Sequence, residues 1–158
     1  MYLGLDLGTS GVKGLLINDK QEVVAEARAP LDVTRAHPGW SEQAPCDWLS
    51  AVSDVMRQLG ATTDLVAVRA IGLSGHMHGA TLLGKSGDVL RPCILWNDTR
   101  SHAQAAQMDT DPKFRDISGN IVFPGFTAPN SHGLATTSRK FSRRPTRFCC
   151  PRTTCAIG

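Results

Sequence analysis

The chain has 158 residues, a net charge of +3 and 41% hydrophobic residues, so it is long and apolar enough to form one globular domain with a core. No apolar run approaches the roughly 18 residues of a membrane-spanning helix, and no basic segment followed by an apolar one marks a secretory signal at the N-terminus. A soluble cytoplasmic protein is therefore expected.

Two short apolar runs separated by a glycine-rich turn open the chain. Apolar residues alternate with small or polar ones over 3–8, and a second apolar run covers 12–17, which predicts a β-hairpin. Glycines in the turn allow the backbone to bend and let a ligand approach the main chain. An ordinary glycine-rich hairpin is the alternative, since short glycine motifs also occur by chance.

The turn of this hairpin carries groups that suit phosphate and magnesium. Beside Gly8, the hydroxyls of Thr9 and Ser10 and the charge of Lys13 favour phosphate oxygens. Asp6 lies at the end of the first strand, where a carboxylate can hold a hydrated magnesium ion. The hairpin is therefore the first candidate ligand site.

The next elements predict a sheet with a covering helix. A turn at 18–20 precedes a third strand over 22–31, and a loop punctuated by proline and glycine covers 35–43. A helix is predicted from Pro45 to Leu59, because apolar residues recur there at helical spacing. The β-branched bias of 65–73 predicts a buried strand.

A polar cluster between glycines follows that strand: Ser74-Gly75-His76-Met77-His78-Gly79. Ligands bind at the carboxyl ends of strands in open α/β sheets. His78 can exchange a hydrogen bond with a hydroxylated ligand, and Met77 offers an apolar wall. The spacing of His76 and His78 also suggests a metal, but two ligands alone make a poor site, and a pair of partly exposed loop histidines is the simpler interpretation.

A third polar cluster is Trp96-Asn97-Asp98-Thr99-Arg100. It offers a ring face, an amide, a carboxylate and a guanidinium, which are groups typical of polyol recognition. Taken alone, these residues favour a simpler explanation, a helix start with a surface salt bridge.

The remaining body alternates short strands with helices. Strands are predicted at 80–83 and 89–96, and helices at 101–108, with Asp98 or Thr99 as N-cap, and at 111–116. Residues 118–129 are rich in glycine and proline and are expected to be irregular. This alternation predicts an α/β fold with a mixed sheet.

Five motifs in this order and at this spacing resemble those of the FGGY carbohydrate kinases, most of all the xylulose-phosphorylating members of that family. They are Asp6-x-Gly8-Thr9-Ser10, Trp40-Ser41-Glu42-Gln43, Met77-His78-Gly79, Leu95-Trp96-Asn97-Asp98 and Pro124-Gly125-Phe126-Thr127-Ala128-Pro129. Each motif alone is weak, but the ordered set is specific and covers residues 1–129 almost without a gap.

The resemblance implies the N-terminal part of a ribonuclease-H-like, actin-type ATPase domain. It implies transfer of the γ-phosphoryl group of ATP to the 5-hydroxyl of D-xylulose, with Mg²⁺ as cofactor. The catalytic Asp6 would then organise magnesium, and ATP phosphates would face Gly8, Thr9, Ser10 and Lys13. The positions expected to bind the sugar are His76, Met77, His78, Trp96, Asn97 and Asp98.

The resemblance also implies that this chain alone is inactive. In the family the general base, an Asp, and the adenosine-binding domain come from well beyond residue 158, and relatives are often dimeric. Two departures from the family pattern are His76, where relatives usually have Gln, and Thr99, where they often have Gly. The first bears on the choice of sugar, for which ribulose, glycerol and gluconate are the alternatives to xylulose.

Other classes of function are less consistent with the chain. A catalytically inactive truncated product of such a kinase is compatible with this ancestry. An actin-like or chaperone-like ATPase has no need of Met77-His78-Gly79 or Trp96-Asn97-Asp98 beside a hydroxylated substrate. A nucleic-acid binder would depend on the basic tail alone.

The tail, 130–158, differs in composition from the body. Residues 1–130 contain 11 Lys and Arg against 14 Asp and Glu, whereas residues 131–158 contain 6 basic residues and no acidic one. The cysteines Cys149, Cys150 and Cys155 crowd at its end, without a recognised zinc spacing. The tail is predicted to be disordered, because it is basic and poor in apolar residues.

We hypothesise that a single-base frameshift near Pro129, in the gene or in its sequencing, produced this tail. Relatives continue with Lys-Leu-Leu-Trp, then His-Glu-Pro-Glu-Ile-Phe, then Asp-Lys-Val-Leu-Leu-Pro-Lys-Asp-Tyr-Leu-Arg. When the third base of each codon is joined to the first two of the next, codons permitted for 138–142 yield Pro-Glu-Ile-Phe. Codons permitted for 146–156 yield Lys-Val-Leu-Leu-Pro-Lys-Asp-Tyr-Leu-Arg. The tail's charge and cysteines are then expected to carry no function.

Overall fold

A computed structural model describes residues 1–137 and 147–149. Contacts divide the chain into two compact units. The first unit contains Met1–Val33 and Ala44–His76, and the second contains Thr34–Gln43 and the described residues from Met77 onward.

The elements follow one another as strands and helices along the chain. Their order is β1 (Tyr2–Leu7), β2 (Gly11–Ile17), β3 (Val23–Pro30), β4 (Glu42–Gln43), α1 (Pro45–Gly60), a 3₁₀ turn (Leu65–Ala67), β5 (Ala70–Gly75), β6 (Thr81–Leu83), β7 (Cys93–Ile94), α2 (His102–Asp109), α3 (Pro112–Ser118), α4 (Thr127–Thr137) and β8 (Arg147–Cys149). No helix in the described ranges is long and apolar enough to cross a bilayer.

The first unit is built on a four-stranded mixed sheet in the order β3-β2-β1-β5. Strand β2 pairs antiparallel with both β1 and β3, and β1 pairs parallel with β5. The predicted hairpin and the predicted mixed sheet are therefore confirmed. Because side chains alternate along a strand, Leu3, Leu5 and Leu7 share one face of β1, and Asp6 lies on the other.

Helix α1 covers the apolar face of this sheet. It begins at Pro45, whose missing N–H is tolerated in a first turn, and it buries a stripe formed by Trp48, Ala51, Val55 and Leu59. Helix and sheet approach closely at Gly14, where an added Cβ would lie 2.4 Å from Cγ1 of Val55. The absence of a side chain at this position therefore sets how tightly helix and sheet can pack.

The prediction of a buried strand over 65–73 is wrong in both the position and the burial of the strand. Residues 65–67 form a 3₁₀ turn, because the carboxylate of Asp64 accepts a hydrogen bond from the N–H of Val66 and caps it. The strand itself is Ala70–Gly75, and most of it is exposed. It lies at the edge of the sheet, beyond the area that α1 covers.

The second unit combines two short strand pairs with three helices among its described residues. Strand β4 pairs with β7, and β6 with β8. The strand predicted over 89–96 contracts to Cys93–Ile94, with Val89 making only an isolated bridge to Leu83. Pro92, which has no N–H to donate, separates the two pieces.

Two helix boundaries in this unit also differ from the prediction. The residue before α2 is Ser101 rather than Asp98 or Thr99, and no side chain caps that helix. Helix α4 begins at Thr127, inside the segment predicted to be irregular. The predicted α3 is confirmed, with the carboxylate of Asp111 accepting from the N–H of Lys113.

Part of the tail is ordered where disorder was predicted. Helix α4 continues to Thr137, and Arg147–Cys149 pairs with β6. Polar bonds anchor the start of α4: the Ser101 hydroxyl donates to Oδ1 of Asn130 at 2.8 Å, and the Ser131 hydroxyl to the Thr127 carbonyl at 2.6 Å. Residues 138–146 and 150–158, including Cys150 and Cys155, lie outside the described residues.

Candidate functional site

The hairpin turn of the first unit borders a cleft of about 440 Å³. Four of the residues predicted to hold magnesium and phosphate line it, together with Arg28, which sequence reasoning missed. The four are Asp6, Gly8, Ser10 and Lys13. Thr9 lies within the same turn.

The turn between β1 and β2 is fixed by backbone bonds. The N–H of Gly8 donates to the carbonyl of Gly11 at 3.0 Å, and the N–H of Leu31 donates to the carbonyl of Ser10 at 3.0 Å. A Cβ at Gly11 would lie 2.6 Å from the carbonyl oxygen of Ala29. Only glycine therefore fits at Gly11 without displacing β3.

Asp6 lies on the face of the sheet opposite α1 and is exposed. It is in register with Lys13 on β2 and with Ser74 on β5. No group of three or more His, Cys, Asp or Glu that could cage a metal occurs among the described residues. A single accessible carboxylate fits Mg²⁺, because this ion keeps several waters and takes its remaining ligands from substrate phosphates.

The cations of the cleft share one acidic partner. Glu26 pairs with Nζ of Lys13 at 3.2 Å and with Nη2 of Arg28 at 2.7 Å. Hydrogen bonds from Arg28 and then from Lys13 hold the pKa of Glu26 below its usual value. These side chains are substantially exposed, so the pairs are weak and both cations can turn to an incoming phosphate.

His76 follows β5 in the same unit. The backbone N–H of His76 donates to the carbonyl of Leu7 at 3.0 Å. The imidazole ring meets the ring of Trp48 edge-on, with centroids 5.6 Å apart. Burial lowers the pKa of His76 below its ordinary value of 6.5, although the charge of Asp6 acts in the opposite direction. The imidazole is therefore neutral at pH 7.

Two of the predicted sugar-recognition residues of the second unit, His78 and Trp96, lie against the segment Pro124–Phe126. The ring of His78 stacks on Phe126 with centroids 4.2 Å apart, and the carbonyl of His78 accepts from the Thr127 hydroxyl at 2.9 Å. A Cβ at Gly125 would lie 1.6 Å from the carbonyl oxygen of Trp96. One segment thus fixes both His78 and the Trp96 backbone.

His78 also has an unusual backbone conformation. Its φ of 65° lies in the left-handed region, which residues other than glycine rarely adopt. Such conformations persist where the surroundings hold them, often at ligand sites. In the same unit Met77 and Trp96 are about half-exposed, and Asn97 is exposed, so these side chains can be reached from solvent.

Asp98 is the exception among these residues, because its carboxylate is fully buried. The N–H of Ser41 donates to its Oδ2 at 2.6 Å, and Nε of Arg100 donates to its Oδ1 at 2.8 Å. Both oxygens therefore have partners within the protein. The ion pair with Arg100 is buried rather than the surface salt bridge considered from the sequence.

Arg100 links two of the sequence motifs. Its Nη1 lies 2.6 Å from Oε1 of Glu42, and its guanidinium carbon lies 3.7 Å from the centroid of Trp40. Burial opposes the charge of Arg100, but hydrogen bonds with Asp98 and Glu42 outweigh it and raise the pKa of the guanidinium. Sequence reasoning missed this network. The available signal was three charged residues, Glu42, Asp98 and Arg100, in or next to two of the motifs.

Comparisons with known proteins identify the family to which this chain belongs. The N-terminal domain of the FGGY family of carbohydrate kinases matches residues 1–153. The chain is 53% identical over 131 residues to a xylulose kinase of Klebsiella pneumoniae, and 50% identical over 130 residues to one of Escherichia coli. Each match covers 82% of this chain but only 27% of the relative.

Solved structures agree with the fold. The crystal structure of a "xyloylose kinase" from Brucella ovis superposes with a TM-score of 0.96 at 52% identity, covering 99% of this chain and 33% of that one. A xylulose kinase from Rhodospirillum rubrum gives a TM-score of 0.87 at 26% identity, covering 95% of this chain and 32% of that one. The predicted actin-type ATPase fold is confirmed, and the chain belongs to the FGGY family of carbohydrate kinases.

Proposed function

We propose that this chain is the amino-terminal portion of an ATP-dependent xylulose kinase. The observation that carries the proposal is the cleft beside Asp6, Gly8 and Ser10 in a chain that shares about half of its 130 or so matched residues with xylulose kinases. The chain spans about a quarter of the length of these relatives. The activity therefore belongs to the whole kinase, of which this chain supplies the phosphate turn and part of the sugar pocket.

In this proposal the first unit binds the phosphate end of ATP. The glycine-rich turn leaves its backbone open to phosphate oxygens. Lys13 and Arg28 would move away from Glu26 and neutralise the negative charge of the ATP phosphates. Asp6 would hold Mg²⁺, which supplies charge neutralisation on the phosphates during transfer. The principal contribution of these residues is to position the phosphate and stabilise its charge.

The second unit would bind the sugar. His78 and Asn97 supply hydrogen-bonding groups for hydroxyls, and Met77 and Trp96 supply apolar contact for the carbon skeleton. Asp98 would act as a positioning residue, because its buried carboxylate holds Arg100 and the backbone of Ser41. His76, where relatives usually have Gln, would tune the choice of sugar.

The reaction would transfer one phosphoryl group. The 5-hydroxyl oxygen of D-xylulose forms a bond to the γ-phosphorus as the bond to the β,γ-bridging oxygen breaks, and ADP leaves. The hydroxyl proton passes to an Asp from the part of the kinase beyond this chain. Without that base, the 158-residue chain alone should give no turnover.

We place the reaction in the cytoplasm, where ATP is available. Cys46 and Cys93 are free thiols in the described structure, as expected in a reducing compartment. The resemblance also favours a homodimer of the whole kinase, which sedimentation of that protein tests.

A coupled ADP assay with the gene restored to a continuous kinase frame tests the proposal. D-xylulose, D-ribulose, glycerol and gluconate are compared with ATP and Mg²⁺ present. We expect D-xylulose to give the highest kcat/KM, and Asp6→Asn to lower kcat by about 100-fold or more because it weakens the hold on magnesium. Preference for another acceptor, or unchanged activity of D6N, would refute the proposal.

A further inference from the structure

A cavity of about 360 Å³ lies between α2 and α4 in the second unit. Gln104 lines it from α2, and Asn130, Gly133 and Leu134 line it from α4. Ligand pockets begin at about 300 Å³, and an engineered apolar cavity of about 150 Å³ already admits benzene. The space is therefore large enough for a molecule of two fused rings.

The face of α4 that borders the cavity is poorly suited to fill it. Asn130, Gly133 and Leu134 follow the i, i+3, i+4 spacing of one helix face. A helix that faces a core normally carries large apolar residues at such positions, but two of these three are an amide and a glycine. The side chain of Asn130 is 1% exposed, and its Nδ2 has no hydrogen-bond partner among the described residues. The helix thus occupies its place without side chains that fill it.

Gly133 is the position from which a side chain would enter the cavity. A Cβ there would lie 3.7 Å from Cδ of Gln104 and 3.9 Å from Cβ of Ser101, which are ordinary van der Waals distances. Both neighbours line the cavity. A side chain at this position is therefore sterically permitted and directed into the empty space.

The hypothesised frameshift gives that missing side chain an identity. A histidine codon ending in T, followed by any glycine codon, contains the tryptophan codon TGG across residues 132 and 133. Tryptophan is also the fourth residue after Pro129 in the continuation of the relatives. The cavity accordingly corresponds to the place of an indole ring that the present reading frame lacks.

The walls of the cavity suit a neutral aromatic molecule. Arg91 and Arg100 both border it, but both pair with Glu42, so their charges are neutralised within the chain. Trp40 adds an aromatic ring, and aromatic rings attract one another when offset or edge to face. The amide oxygen of Gln104 is an acceptor for a ring N–H.

We infer that this cavity is a binding site for a free, planar, two-ring aromatic molecule of the indole class, whose N–H donates to Oε1 of Gln104. The site goes beyond the proposed function, because it shares no residue with the predicted ATP and sugar sites. It belongs to this chain as it stands. A tryptophan side chain at position 133 would occupy the same space and exclude the ligand.

The test is isothermal titration calorimetry of the full 158-residue chain with indole. We expect saturable binding of one molecule per chain. Gly133→Trp should lower the affinity by about tenfold or more, because interiors are close-packed and the new side chain takes up the space.

Two control variants accompany this substitution. Gly133→Ala should keep the affinity within a factor of about three, because one methyl group removes little of the volume. His102→Trp adds the same large side chain at an exposed position of α2 and should leave indole binding unchanged.

A second comparison tests the partner of the ring N–H. Indene has the shape of indole without the N–H, and methionine has the length of glutamine without a strong acceptor. Gln104→Met should lower the affinity for indole by about fivefold and leave the affinity for indene nearly unchanged. Equal effects on the two ligands would overturn the assignment of Gln104.

Melting followed by circular dichroism separates an occupied cavity from misfolding. Gly133→Trp should melt no lower than the wild type, because a filled cavity stabilises a fold. The inference is overturned if indole shows no saturable binding, if G133W binds it as the wild type does, or if G133W melts lower. These measurements involve no kinase activity, so failure of this site and failure of the proposed function are distinguishable.

Discussion

The imidazole of His78 lies parallel to the ring of Phe126, with centroids 4.2 Å apart and planes 12° apart. The same histidine has a φ of 65° and accepts a hydrogen bond at its carbonyl from Thr127. Backbone and ring are therefore both fixed from the segment that begins α4. The residue is therefore held in position by contacts within the chain alone.

This arrangement predicts different effects for two substitutions of His78. Asn tolerates the left-handed conformation, whereas Val is strained there by about 1 kcal/mol or more. His78→Val should therefore lower stability more than His78→Asn, as measured by urea unfolding of the 158-residue chain. His102→Asn, at an exposed helical position, is the control and should change little.

On the proposed function, His78→Val should raise the KM for D-xylulose of the frame-restored kinase by about tenfold or more, because valine cannot replace a hydrogen bond from the imidazole to the sugar. The KM for ATP should stay within a factor of two or so. If the KM for xylulose does not change, His78 has only a structural role.

The sequence was sufficient to predict elements that depend on local periodicity. The β1–β2 hairpin and α1 follow from alternation and from helical spacing, and they agree with the structure within one residue at the helix. The strand after α1 was misplaced because a local cap at Asp64 competes with the β-branched pattern of the residues that follow it. Local side-chain hydrogen bonds of this kind override propensity.

The candidate site was predictable as motifs but not as a network. Ser41 and Asp98 are 57 residues apart and joined by one hydrogen bond, and no local pattern reports such a contact. Likewise, the stacking partner of His78 and the close approach of Gly125 to Trp96 depend on tertiary packing. The motif residues were thus found, while those that hold them in position required the fold.

Gly14 should be intolerant of even one methyl group. An Ala at Gly14 would place Cβ 2.4 Å from Cγ1 of Val55 and 3.0 Å from Cδ1 of Leu59. Overpacking of this kind costs about 1–3 kcal/mol in the free energy of unfolding. Gly4→Ala is the matched control on the adjacent strand, since its nearest contact would be an ordinary 3.9 Å.

A double substitution tests whether Val55 is the cause. In a Val55→Ala background, Gly14→Ala should cost less than it does in the wild type, because the clashing Cγ1 is gone. Urea unfolding of the four proteins provides the comparison. Additive effects of the two substitutions would mean that Gly14 matters for another reason.

His76 predicts how the stability of the chain depends on pH. Burial lowers its pKa below 6.5 in the folded protein, so the unfolded chain binds the proton more readily. Stability should therefore be complete above pH 6.5 and decrease as the pH falls from 6.5 towards the lowered pKa of the folded state. Melting temperatures measured across this window should show the loss.

His76→Gln removes the titrating group and should flatten this part of the pH profile. His132→Gln is the control, because His132 is exposed. If H76Q keeps the full dependence below pH 6.5, another group is responsible for it.

The buried pair of Asp98 and Arg100 should be costly to break. Asp98→Ala leaves the largely buried Arg100 guanidinium with Glu42 as its remaining carboxylate, and removing one partner of a buried pair costs about 3–5 kcal/mol. Asp98→Asn keeps the size and an acceptor oxygen, so it should cost less. Guanidinium chloride unfolding measures both.

The matched control is Asp54→Ala, which breaks the exposed pair with Arg57 on α1. Exposed pairs contribute little, so the unfolding midpoint should hardly move. If D98A were as mild as D54A, the network would not hold the Trp40–Gln43 loop in place.

The nucleotide sequence provides the last prediction. We hypothesise that a frameshift near Pro129 produced the tail, which has six basic residues and no acidic one beside a body of net charge −3. Read one base out of register, the codons of 138–142 should encode Pro-Glu-Ile-Phe, and those of 146–156 Lys-Val-Leu-Leu-Pro-Lys-Asp-Tyr-Leu-Arg. That frame should then continue as the rest of a kinase. Genomic sequencing decides between a change in the gene and an error in reading it, and codons that do not yield these residues would refute the frameshift. The order of α4 is compatible with it, because helix α4 starts within the family-like segment at Thr127 and is anchored there by Ser101.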